Sequence, residues 1–138
     1  MNKKKSFLKP VVVPKGISQT EIDSFARIDY PLFSFKYLTD HSFKDCRDGG
    51  FFATFLLRLK KLSELGWKEI NTAERHGFGW EKIPHEILKH NLPQEITPEV
   101  PLLAFRATGD NRPFVGFRDG KVFHIIFIEA GFGDIYNH

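Results

Sequence analysis

Cysteine is nearly absent: Cys46 is the only one in 138 residues. An intrachain disulfide is impossible, and a cysteine-based zinc site is excluded. This suits a reducing, cytoplasmic setting with Cys46 as a small apolar packing residue. No apolar run approaches about 18 residues, so no membrane-spanning helix is expected. The first fifteen residues contain no acid but carry Lys3, Lys4, Lys5, Lys9 and Lys15. Without those five lysines, 15 basic residues face 17 acidic ones, a net of −2. The body is therefore not a basic nucleic-acid-binding slab, and any anion site must be local. Methionine is equally scarce, one against fifteen phenylalanines, which points to a core built from rings.

Several motifs are missing as well. "HEILKH" separates His85 and His90 by five positions, not the four of a helical zinc pair. Nothing fixes the spacing of His76 relative to them, so no metal is expected. "HGFGWE" has glycines without a Rossmann or Walker pattern, no Gly-x-Ser-x-Gly elbow exists, and no cofactor is expected. "MNKKKSFLKPVVVPKG" begins like a signal peptide, but its apolar stretch is three valines between Pro10 and Pro14. Residues 1–17 are expected to form a flexible basic arm and residues 18–138 a single domain.

What is present is an α+β pattern: an N-terminal strand, two to three helices and a C-terminal antiparallel meander. Ser18 and Glu21 form a capping-box pattern before a short helix ended by Pro31. "LFSFKYL" (32–38) reads as a strand. "FFATFLLRLKKLSEL" (51–65) places Phe51, Phe55, Leu59 and Leu62 on one helical stripe, with Gly66 as its C-terminal stop. A second helix is expected over 67–75, a loop over 76–83 and a short helix in "PHEILKHN". "LLAFRAT", "RPFVGFR" and "KVFHIIFIEA" are three β-rich runs joined by short loops, one of them Asp119-Gly120.

A two-residue turn at Asp119-Gly120 pairs Arg118 with Lys121 and Val115 with His124. A three-residue loop at 109–111 pairs Arg106 with Phe114. On that register Leu103, Phe105, Val115, Phe117, His124 and Ile126 face the helix. Arg106, Arg112, Arg118, Lys121, Phe114 and Phe123 share the opposite face. Guanidinium groups fork onto phosphates, and phenylalanine rings stack on bases. Two readings are open: an anion-binding surface, or arginines lying over a second core layer and pairing with Asp110, Asp119 or Glu129. His124 is either a hydrogen-bonded core histidine or a catalytic one. The tail "GFGDIYNH" carries Tyr136 and His138, and it either folds back over the sheet or frays.

This pattern resembles the RelE/ParE superfamily of bacterial toxins over roughly residues 32–138. The matching points are "FSFKYL", the helix 51–65, the three meander runs and "GFGDIY". An arginine opening the second meander strand corresponds to Arg112, a basic residue on the strand before it to Arg106, and a tyrosine near the end to Tyr136. The stretch 66–101 is longer than is typical of that family. The resemblance implies a cytoplasmic, metal-free endoribonuclease that cleaves mRNA, free or on the ribosome, by 2′-OH attack, with a small antitoxin protein as partner. It implies Arg106 and Arg112 on the phosphate and Tyr136 or His138 moving protons, with His124 or Arg118 in reserve. Arg118, Lys121, Phe114 and Phe123 would line the substrate path. A non-catalytic nucleic-acid or protein-binding module, including the gyrase-inhibiting kind, is the alternative.

Overall fold

The computed structural model describes residues 16, 18–20, 29–43, 48–74 and 77–138. Residues 1–15 of the expected arm, residues 21–28 of the expected first helix with Glu21, Cys46 and His76 lie outside the described residues. The fold is α+β, as the sequence pattern indicates. Its elements are β1 (Leu32–Ser34), α1 (Gly49–Ser63), α2 (Trp67–Thr72), β2 (Trp80–Ile83), β3 (Leu102–Arg106), β4 (Pro113–Asp119) and β5 (Val122–Ile128). The five strands form one sheet in the order β1-β5-β4-β3-β2. β1 runs parallel to β5, and the other pairs are antiparallel. No helix among the described residues is long and apolar enough to cross a membrane.

α1 forms where the periodicity places it. Asp48 caps it by accepting the Phe51 N–H at 2.9 Å. Phe51, Phe55, Leu59 and Leu62 are its buried stripe, packed on Leu103, Phe105, Phe114, Phe123, Ile125 and Ile128 of the sheet. Gly66 does not act as the stop of α1; it caps α2 instead, and its N–H donates to Glu69 Oε1 at 2.9 Å. Trp67 follows, 1% exposed, with its indole N–H donating to the Lys121 carbonyl.

Three local expectations are corrected. The strand of 32–38 is confined to Leu32–Ser34. "PHEILKHN" makes one 3₁₀ turn, His85–Ile87. The loop expected over 76–83 contains β2, which pairs Trp80 with Phe105 and Ile83 with Leu102. An edge strand needs one neighbour only, so Trp-Glu-Lys-Ile forms it without a run of apolar residues.

The register of the last hairpin also differs. Asp119 pairs with Val122 and Phe117 with His124, so the turn residues are Gly120 and Lys121. Gly120 has φ 63° and no described non-glycine residue has positive φ. This is the type II′ pattern, with glycine first, and it spares Asp119 a left-handed backbone. That shift keeps the same residues on one face; facing changes at the β3–β4 pairing, where Phe105 lies opposite Phe114 and Arg106 opposite Pro113, one residue from the expected Arg106–Phe114 pair. The one-residue difference turns Phe114, Phe123 and Ile125 toward the helices and Phe117 and His124 away from them. A bulge then interrupts the ladder: Val115 faces Phe127 and Gly116 faces Ile125, leaving Ile126 extra. Phe127 and Ile128 thereby return to their expected faces. Gly116 is required at the bulge, because a Cβ there would meet the His124 carbonyl oxygen at 2.0 Å. The other face of the sheet buries a second core of Ile83, Ile96, Leu102, Ala104, Val115, Ile126, Phe127 and Ile135.

Burial of the α1 stripe predicts that Phe55→Ala costs about 3–5 kcal/mol. Leu56, 66% exposed one residue further on, should tolerate alanine within about 0.5 kcal/mol. Urea unfolding of the two variants checks this.

Candidate active site

The site is made where the chain after β5 folds back. Glu129 ends the most apolar run of the sequence, and it is fully buried. Its Oε1 accepts the Ile135 N–H at 3.0 Å, and its Oε2 accepts from His138 Nε2–H at 2.6 Å. A carboxylate buried alone costs several kcal/mol, so it draws in these two donors. Ile135 completes the second core with no exposure. Lys89 donates its backbone N–H to the Ile135 carbonyl and its ammonium to the Gly133 carbonyl. His90 donates to the Asp134 carbonyl at 2.9 Å. The tail is thus tied to the domain at both ends and does not fray.

A cleft of about 390 Å³ opens beside it, lined by Glu81, Ala104, Phe105, Arg106, Asn111, Pro113, Tyr136 and His138. Glu81 comes from the edge strand β2, opposite Ala104. Arg106 ends β3, and its Nη1 donates to the Asp110 carbonyl at 2.7 Å and to Asn111 Oδ1 at 2.8 Å. These bonds fix the direction of the guanidinium. Arg58 of α1 sits near enough to feel it. Desolvation first, and the Arg106 charge second, lower the Arg58 pKa from its usual value. The His138 ring stacks on Phe132, centroids 4.3 Å apart, and lies 5.0 Å from Tyr136. Arg106, Tyr136 and His138, all singled out in the sequence, therefore share one cleft.

The other candidates lie elsewhere. Arg112 does not line the cleft. Its Nε donates to Asp110 Oδ2 at 2.9 Å and its Nη1 to the Ala130 carbonyl, and it covers the Phe51 ring at 4.4 Å. It therefore ties the β3–β4 loop, the end of β5 and the start of α1 together. Burial alone would raise the Asp110 pKa; the Arg112 backbone N–H, the Thr108 hydroxyl and the Arg112 side chain outweigh it and lower the value. Arg118 lies over Trp67 at 4.0 Å, on the helical side, and donates to the Gly120 carbonyl. Six residues of strand place it about 20 Å from Arg112. Lys121 sits in the turn at that far end. Phe114 and Phe123 have no exposure and pack on each other and on Phe105, so neither ring can receive a base. Arg112 and Arg118 thus share the helical face, while the β3–β4 register puts Arg106 on the opposite one.

His124 faces away from the helices, opposite to expectation, and apart from Arg106. Its Nδ1 lies 2.9 Å from Ser34 Oγ, and its ring stacks on Phe117 and meets the edge of Tyr37. Desolvation is the main cause lowering its pKa; Asp119 opposes it and Lys36 adds to it.

Three cleft or support residues escaped the sequence reading as members of a site. Glu81 lies in a segment whose composition predicts a loop, and Asn111 in a short connector between strands. Glu129 carried a signal, a lone charge closing "VFHIIFI", since a charge in such a run must find a partner. No family model matches the chain, and neither do any curated proteins or solved structures.

The lowered His124 pKa makes a signed prediction. Its stabilising effect is complete above the unfolded value of about 6.5 and is lost as pH falls below it toward the folded value. Stability by urea unfolding should decline from about pH 6.5 downward, and His124→Asn should flatten that limb. An unchanged limb in the variant would assign the acid sensitivity to other groups.

Proposed function

We propose that the cleft binds the sugar-phosphate backbone of RNA and cleaves it by metal-independent attack of a 2′-OH on the adjacent phosphate. The observation that carries this is the meeting of a directed guanidinium, a carboxylate, a phenol and a carboxylate-anchored imidazole in one cleft. Arg106 offsets the charge that develops on the phosphorane oxygens. Glu81 takes the 2′-OH proton as the 2′-oxygen bonds to phosphorus. His138, held through Nε2 by Glu129, gives the proton of its other nitrogen, Nδ1, to the leaving 5′-oxygen as its bond to phosphorus breaks. Tyr136 bonds a phosphate oxygen. The products are a 2′,3′-cyclic phosphate and a 5′-hydroxyl, and atoms and charge balance without another reactant. The resemblance to the RelE/ParE toxins supports the same chemistry, with RNA free or on the ribosome as substrate and a small inhibitory protein as partner.

Expression of the wild-type chain should arrest growth, and purified protein should leave cyclic-phosphate ends on RNA. Arg106→Gln should slow cleavage about 10²- to 10³-fold and His138→Asn about 10²- to 10⁴-fold, with unfolding midpoints unchanged for Arg106→Gln. Arg112→Gln should instead lower the unfolding midpoint. RNA binding without cleavage in the wild type would point to a non-catalytic module, and undiminished cleavage by Arg106→Gln would reject the assignment.

A further inference from the structure

Phe132 has a place that neither core explains. It is 63% exposed and belongs to neither buried cluster. Its ring nevertheless lies in a defined position, 4.3 Å from His138 with 22° between the planes. Gly131 and Gly133 flank it, so no adjoining side chain crowds the ring. Gly133 has φ 84°, which a side chain rarely adopts, and its carbonyl is held by Lys89. The next residues are held through Asp134 and Ile135. A rigid tail thus presents one aromatic face to solvent, next to the imidazole that lines the cleft.

The ring covers one face of His138 and remains 63% exposed itself. Glu129 is already fully buried, and the His138 side chain is 17% exposed. A flat apolar face beside a phosphate-binding arginine matches a nucleotide, whose base offers a π face and whose phosphate offers charge. Paired bases are stacked inside their helix and cannot offer that face, whereas unpaired bases can.

We infer that Phe132 is a stacking shelf for one unpaired nucleobase of the substrate, so that the site takes single-stranded RNA. This rests on the cleavage reading for its choice of ligand, but it concerns binding and is tested without turnover. The probe is a short 2′-O-methyl RNA strand, which lacks the attacking hydroxyl, with a single 2-aminopurine moved along it. Stacking on an aromatic ring quenches that base. The full chain should quench the fluorophore at one position and should not bind the same strand once it is annealed to its complement. Phe132→Ala should abolish the quench and weaken binding about 5- to 150-fold, the range for loss of one base–aromatic stack. Phe132→Leu, which keeps an apolar cover over His138 but has no π face, should behave like alanine, and Phe132→Tyr like the wild type.

Full binding and quenching by Phe132→Leu would overturn the shelf, as would a wild type that quenches at no position. Cleavage with no quench would remove the shelf and leave the nuclease standing. A quench without cleavage on natural RNA would keep the shelf and remove the nuclease.

Discussion

One buried carboxylate organises the end of this molecule where the cleft lies. Glu129 lies at the end of β5 with no contact with water, and its two oxygens have different tasks. One accepts a backbone N–H and so turns the chain back toward the sheet; the other holds the His138 ring. The turn drops Ile135 into the second core, where apolar burial adds roughly 1.5–3 kcal/mol. Lys89 and His90, from the long segment between β2 and β3, fasten the same tail. Tyr136 and His138 then stand over the end of β3 that carries Arg106, and the cleft exists because of that return.

A second constraint separates the arginines. The pairing of Phe105 with Phe114 and Arg106 with Pro113 turns the even-numbered side chains of β4 to the helical face, away from Arg106, and the bulge at Val115/Gly116 adjusts β5 against them. The outcome is a division of labour among cations. Arg112 and Arg118 lie over Phe51 and Trp67 and secure the helical layer. Arg106 alone among the three reaches the cleft, with Arg58 adding positive field from α1. One directed guanidinium beside a carboxylate and an imidazole offers local charge and proton-transfer groups rather than a broad positive field.

Much of the fold was legible because its signals are local. The spacing of Phe51, Phe55, Leu59 and Leu62 defines α1, and the three apolar runs after Pro101 define the meander. Arg106, Tyr136 and His138 were recognisable as chemistry-bearing residues near one another. Facing was not legible, since it depends on one residue of register across the β3–β4 loop, where Arg106 meets Pro113 and not Phe114. Asp119-Gly120 fits two hairpin turns that differ by one position, and the backbone strain at Asp119 decides between them. The bulge left no mark beyond Gly116. β2 was hidden because an edge strand carries little apolar pattern, and Glu81 was hidden with it. Glu129 looked like a surface partner for an arginine, while its burial follows from tertiary packing of the tail.

The cleft depends on Glu129 holding the His138 ring in the folded protein. Long-range proton–nitrogen NMR of the imidazole in the full chain reads this directly. The structure predicts a slowly exchanging, hydrogen-bonded proton on Nε2 in a single ring form, and its loss when Glu129 is replaced by glutamine. A ring that averages between tautomers in the wild type, on a tail with the shifts of an unfolded peptide, would contradict it.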